Sequence, residues 1–178
     1  MPGTGRLEGR RVAVLLEEGF EDLEFWVTVM RLREEGALVT VVAPKAGAEF
    51  HGKHALTATS DAAAGDVRSG DVDSVVVPGG WAPDKLRRSA EVTGLVRETH
   101  EAGKIVGMIC HAGLVGISAG IVAGRRATGS LGIKDDLVNA GATWVDEPSL
   151  RDGNLVWGRV VEDIPAFCRE LVNALAER

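Results

Sequence analysis

Gly107-Met108-Ile109-Cys110-His111-Ala112-Gly113 decides how this chain is read. The apolar run Ile105-Val106-Gly107-Met108-Ile109 stops at Cys110, and small residues then lead into Leu114-Val115-Gly116-Ile117-Ser118. A buried strand is expected to end here, turn sharply and become a helix. Such a strand-turn-helix elbow lifts the residue at the turn clear of the sheet, as hydrolase nucleophiles are lifted. The residue here is a cysteine, whose thiolate is the strongest ordinary side-chain nucleophile. At a helix start, the free amides and the dipole favour that thiolate. The same run is also compatible with an inert buried cysteine, but the pattern favours the reactive reading.

Apolar runs and punctuation extend the strand-helix alternation in both directions. Arg11–Leu16, Leu38–Ala43 and Asp73–Val77 read as buried strands, closed by Glu17-Glu18-Gly19, Pro44 and Pro78-Gly79-Gly80. A helix is expected from Glu21 to Glu35, with Leu23, Trp26, Val27 and Met30 on one apolar face and Gly36 as stop. Phe50–His54 reads as a turn between two short strands, and 61–71 as a polar connection. Ser89 caps a helix to Glu101, ended by Gly103. Further on come a helix at Ile133–Asn139, a strand at Ala142–Val145 and a turn at Asp152-Gly153 into Leu155–Trp157. The last helix starts at Asp163-Ile164-Pro165 and carries the stripe Ile164, Phe167, Cys168, Leu171 and Leu175. The pattern predicts an α/β protein with a mostly parallel sheet and helices on both faces. Residues 1–10 are expected to form a flexible arm, and 11–178 a single domain.

Composition narrows the function classes. The 178 residues are 45% hydrophobic and 26% charged, with net charge −6 and pI about 5.3. The acidic balance argues against nucleic acid, and the short apolar runs argue against a membrane. The first residues show no secretory h-region. Two cysteines, Cys110 and Cys168, make no disulfide framework, so a reducing cytoplasm is expected. No paired cysteine or histidine spacing suggests zinc, and no cofactor is expected.

Ligands of open α/β sheets bind beyond the carboxyl ends of strands. Three features lie there: the acids Glu17, Glu18, Glu21, Asp22 and Glu24, the pair Gly79-Gly80, and Cys110-His111. Each has a bland alternative. Acids suit the first turn of any helix, Gly79-Gly80 fits an ordinary turn, and His111 fits a solvent-facing or interface histidine as well as a proton carrier. Asp135-Asp136 and Arg125-Arg126 are expected to be solvated, the four tryptophans to be mostly core or interface, and Cys168 to fill core.

Longer stretches carry a family resemblance. They are Glu18-Gly19-Phe20-Glu21-Asp22-Leu23-Glu24, Val77-Pro78-Gly79-Gly80-Trp81-Ala82-Pro83-Asp84, Ile109-Cys110-His111, Ile117-Ser118-Ala119-Gly120 and Gly132 to Asp146. With this spacing the chain resembles the PfpI-like branch of the ThiJ/PfpI superfamily from about Arg11 to Leu175. That superfamily includes PfpI-type intracellular proteases and the Parkinsonism-linked stress protein. The resemblance implies a flavodoxin-like three-layer sandwich with a cysteine elbow, similar to class I glutamine amidotransferases. It implies Cys110 as nucleophile, His111 as its partner, and Glu24 as the acid that hydrogen-bonds the sulfur and lowers its pKa. It implies amides of Gly80 and His111 as oxyanion hole, and a carboxylate at the position of Asp84 acting from a neighbouring subunit, hence a dimer or hexamer. The implied substrates are peptides or small carbonyl compounds such as methylglyoxal and its adducts. A non-enzymatic redox sensor or holdase is the alternative. Amidotransferase chemistry lacks support, because those relatives carry their histidine far downstream and none follows His111. Three departures stand out: Asp84 replaces the usual glutamate, Cys110-His111-Ala112-Gly113 replaces Cys-His-Gly-Pro, and tyrosine is absent.

Overall fold

A computed structural model describes residues 5–178. In chain order the strands and helices are β1 (Arg11–Leu15), α1 (Asp22–Glu34), β2 (Leu38–Ala43), β3 (Glu49–His51), β4 (Thr57–Thr59), β5 (Ala62–Ala63), β6 (Ser74–Val77), α2 (Ala82–Leu86), α3 (Ala90–Glu101), β7 (Ile105–Ile109), α4 (Gly113–Ala119), β8 (Arg126–Ala127), α5 (Lys134–Asn139), β9 (Thr143–Trp144), β10 (Ser149–Asp152), β11 (Leu155–Gly158) and α6 (Ile164–Ala176). The central seven-stranded sheet has the order β10-β11-β7-β6-β1-β2-β5. Only the edge strand β10 runs antiparallel. Strands β6 and β7 are buried along their whole length, which is why they read as unbroken apolar runs instead of alternating ones.

Helices cover both faces of this sheet, as the alternating pattern requires. On one side α1 packs on α6, and on the other α3 packs on α4. The β7 strand shows the two-sided burial directly. Gly107 faces α6, where a Cβ would stand 3.2 Å from Leu171 and 3.3 Å from Phe167, while Met108 reaches the opposite layer and touches Gly116 of α4. A buried apolar cluster extends continuously from Leu7 to Leu175. The architecture is the flavodoxin-like α/β sandwich expected from the sequence. Among the described residues no helix is long and apolar enough to cross a membrane.

Strand order places the switch point between β1 and β6: the chain runs outward from β1 to β2 and β5, then returns to the other side of β1. The carboxyl ends of β1, β6 and β7 therefore lie side by side, and ligand sites of open sheets form at such a crevice.

Two expectations need correction. The first concerns the N-terminal arm. Residues 1–4 lie outside the described residues, but from residue 5 the chain is fastened to the body. Leu7 is fully buried, its N–H donates to the Glu35 carbonyl (2.8 Å), and Arg6 donates to Asn173 (3.0 Å). A single apolar side chain in a polar stretch found a place in the core that its neighbours' composition concealed. The second concerns α1. Leu23, Val27 and Met30 face outward, and the helix buries Phe25, Thr28, Val29 and Leu32 together with Asp22 and Glu24. Both sets of apolar residues have helical spacing, so periodicity alone could not say which one meets the sheet.

Candidate active site

Two loop-to-loop stitches build the floor of the site. After β1, Glu21 N–H donates to the Gly79 carbonyl (3.1 Å); after β6, Trp81 N–H donates to the Gly19 carbonyl (2.7 Å). Gly80 crosses between them with φ +84, and a Cβ there would lie 2.4 Å from Glu21 N and 2.5 Å from Gly19 O. Only glycine permits this approach. The first turn of α1 is capped by Glu21, whose carboxylate accepts from Glu24 N–H (2.9 Å). The cap aims Glu24 back into the crevice.

Cys110 sits at the elbow, in a short 3-10 turn between β7 and α4. Its φ is +61, in the left-handed region that non-glycine residues avoid. Strain of this kind costs of order 1–3 kcal/mol and persists where the surroundings over-determine it. Here the surroundings do so: Ser130 N–H donates to the Cys110 carbonyl (3.1 Å), and Gly129 leaves that carbonyl room a Cβ would occupy at 2.7 Å.

Four groups face the half-buried sulfur. His111 Nδ1 lies 3.3 Å from Sγ, so these sequence neighbours do point toward each other. The amides of Gly80 and His111 lie by the sulfur and favour its charged form. Glu24, fully buried, stands beside it, and its charge acts on the thiol. Glu24 Oε2 accepts the Gly79 N–H at 2.7 Å. Oε1 has no hydrogen-bond partner among the described residues, which makes it the oxygen left to carry a proton. Gly79 is wedged between the partners. A Cβ there would lie 2.5 Å from Glu24 Oε2 and 2.7 Å from Cys110 Cβ.

The electrostatics follow from burial. Desolvation pushes the Glu24 carboxyl from 4.5 up to about 7, against the opposing pull of the Gly79 amide. Desolvation also pushes the Cys110 thiol up, to about 12, helped by an ionised Glu24 beside it and opposed by the two amides. As a carboxylate Glu24 raises the thiol pKa; the lowering expected from the resemblance would require a protonated carboxyl that donates to the sulfur. His111 is pushed down by its burial and by the charge of Lys53, which favours the neutral imidazole a base requires.

The remaining expected residue lies elsewhere. Asp84 is on α2, its side chain 57% exposed, in an ion pair with Arg88 of the same chain. Within one chain it forms no hydrogen bond or ion pair with His111 among the described residues. Sequence reading missed the clamping role of Gly79, which a glycine pair beside a buried acid could have suggested. It also missed Lys53 and Trp81 at the mouth, whose meeting no local pattern signals. Among the described residues no group of three or more His, Cys, Asp or Glu side chains is placed to hold a metal ion.

The chain has relatives among known proteins. The sequence matches the DJ-1/PfpI family over residues 10–174. A deglycase of Pyrococcus abyssi is 41% identical over 165 residues, covering 93% of this chain and 99% of that protein. The putative cysteine protease YraA of Bacillus subtilis is 36% identical over 166 residues, covering 93% and 98%. The crystal structure of Drosophila melanogaster DJ-1beta superimposes with a TM-score of 0.89 at 28% identity, covering 96% of this chain and 92% of that one. The cysteine elbow described above thus belongs to a chain that is a member of the DJ-1/PfpI family.

Proposed function

We propose that the chain is a cysteine-dependent enzyme acting on small carbonyl compounds, in the manner of a cofactor-independent glyoxalase or deglycase on methylglyoxal-type substrates. One observation carries the reading: a strained, half-buried Cys110 meets a buried acid of raised pKa, a neutral imidazole and two amide donors at one crevice. The kinship with a protein named as a deglycase supports the same direction.

With methylglyoxal, the Cys110 thiolate, its proton held by Glu24, attacks the aldehyde carbon. A C–S bond forms, and the carbonyl π pair moves onto oxygen. The amides of Gly80 and His111 hold that oxyanion. Protonation gives a hemithioacetal. His111 takes the proton from the former aldehyde carbon and, through the enediol, a proton is returned to the adjacent carbon. The product is a lactoyl thioester on Cys110. Water hydrolyses it, releasing lactate and restoring the thiol. On an amide the same groups would give peptidase action, with greater demand on His111 to protonate the leaving amine.

We read the working unit as a homo-oligomer, a dimer or a hexamer. The outward face of α1 supports this. Leu23, Val27 and Met30 are 48%, 39% and 61% exposed, and Leu56 beside them is 48% exposed. A self-complementary apolar face of this kind suits a two-fold contact with a second copy. In such an assembly Asp84 of a neighbour would supply the carboxylate that His111 lacks. Both cysteines are free thiols, consistent with action in the cytoplasm.

Purified protein incubated with methylglyoxal should yield lactate, and Cys110→Ala should abolish it. Lactate formation undiminished in that variant would sink the mechanism. A fluorogenic peptide cleaved in place of methylglyoxal turnover would select the peptidase reading. Sizing in solution should show an oligomer that Met30→Glu converts to monomer; a monomeric parent with full activity would remove the role given to Asp84.

A further inference from the structure

Lys53 stands at the tip of the β3–β4 hairpin, which adds nothing to the central sheet. The hairpin is nonetheless bolted to the site. Buried Asp22 accepts the N–H groups of His54 and Leu56, both at 2.8 Å. Lys53 N–H donates to the Phe20 carbonyl (2.9 Å), and Gly19 N–H donates to the His51 carbonyl (2.8 Å). Gly52 is required there, since a Cβ would lie 2.4 Å from Asp22 Oδ2. These contacts fix the backbone that presents Lys53 and leave its side chain outside.

The ammonium hangs over an aromatic surface. Lys53 Nζ lies 5.4 Å from the ring centroid of Trp81. Trp81 directly follows Gly80, whose amide faces the Cys110 sulfur. Its ring is pressed against Gly19, where a Cβ would stand 3.0 Å from the indole, yet the residue is 64% exposed. An indole this open to water is unusual without a partner to cover it. Among the described residues no carboxylate lies within salt-bridge distance of Lys53. Its charge does reach inward, drawing down the pKa of Glu24 and of His111. In a chain of net charge −6, a cation without an ion-pair partner whose charge reaches Glu24 and His111 is the local exception that an anion would find.

We propose that Lys53, held over Trp81, forms an anion subsite, and that the preferred dicarbonyl substrates of Cys110 carry a carboxylate at the end of the carbon skeleton away from the reacting carbonyl. The ammonium takes the carboxylate, the indole face covers the carbon skeleton, and the carbonyl falls toward the sulfur. This proposal rests on the reading of Cys110 as nucleophile and deepens it to a substrate class.

The test compares alkylation of Cys110 by iodoacetate, which bears a carboxylate, with that by iodoacetamide, its neutral counterpart. In both, the thiolate forms a bond to the methylene carbon and iodide leaves with its electron pair. Both reagents read the same thiolate, so the rate ratio cancels any change in the cysteine's acidity. Mass spectrometry of the Cys110 peptide gives the rates. The parent's iodoacetate/iodoacetamide ratio should exceed that of a free small thiol by roughly five-fold, and fall with added salt. Lys53→Gln should lose that preference, Lys53→Glu should invert it, and Lys53→Arg should keep it. A ratio unchanged in Lys53→Gln and Lys53→Glu, with Cys110 still reactive, overturns the subsite alone. Failure of Cys110 to react with either reagent in the folded protein overturns the nucleophile and the subsite together.

Discussion

Cys110 and Cys168 lie in one small fold and share more than their roles suggest. Burial raises the pKa of both thiols, and both have a hydroxyl, imidazole or carboxyl neighbour. Cys168 sits on the inner stripe of α6, 4% exposed, with the Thr28 hydroxyl 3.7 Å from its sulfur. Cys110 sits at a positive φ on the elbow, with an acid whose own pKa is near neutrality. Burial therefore does not distinguish a reactive cysteine from a core one. What distinguishes them is whether a neighbour can take over the proton. Cys110 has a titratable acid, Glu24, and an imidazole, His111, beside it, whereas Cys168 has only the Thr28 hydroxyl.

The sharpest way to break this comparison is to remove each sulfur. Cys110→Ala should lower turnover of methylglyoxal by about a thousand-fold or more, read as lactate formed. Cys168→Ala should leave turnover within about two-fold and cost about 1 kcal/mol of stability, the scale of a small core truncation, read by denaturant titration.

Removing the acid should come next. In the parent, Glu24 ionises through about pH 7 and its carboxylate then holds the proton on the Cys110 sulfur, so alkylation by iodoacetamide should rise only above that range. Glu24→Gln removes the charge that holds the proton on sulfur, so the alkylation midpoint should move down. The same substitution should change stability with a definite sign. Folding raises the Glu24 pKa, so its favourable contribution is present in full below the ordinary value of 4.5 and is lost as pH rises through about 7. Glu24→Gln escapes that loss. It should be more stable than the parent by up to about 3 kcal/mol at about pH 8.5, with the gain gone near pH 4. Equal denaturation midpoints at alkaline pH would show that Glu24 is not held in a desolvating environment.

Gly79→Ala tests the geometry between the partners. A methyl group would overlap both Glu24 Oε2 and Cys110 Cβ. The cost should be about 2–3 kcal/mol of stability, and the alkylation midpoint should drift toward that of Glu24→Gln as the acid is displaced.

Much of the fold and part of the site are legible in local sequence pattern. The apolar run Ile105–Ile109, cut off at Cys110 and followed by small residues, announces the elbow because a buried parallel strand tolerates no polar residue and a sharp turn demands small ones. Glu24 is visible as one acid of a cluster, and the family resemblance singles it out. What stays hidden depends on contacts between distant segments. The stripe Leu23-Trp26-Val27-Met30 obeys helical spacing, yet Leu23, Val27 and Met30 face outward, because α1 has a second stripe and must turn Glu24 toward β6 and β7. Leu7 is lost in a polar segment, although it fills the core beneath Glu35. Asp84 carries an expected role that one chain cannot display, since its visible partner is Arg88.

The succession of strands and helices, the place of the elbow and the family are all written in the linear chain, because each depends on local periodicity and punctuation. Three outcomes arise only when the chain is folded: Glu24 loses its solvent, Gly79 must lack a side chain, and Lys53 hangs over Trp81 beside the residues that face the sulfur. They depend on which loops meet at the switch point of the sheet. Desolvation and charge proximity are properties of that meeting, and no single segment contains them.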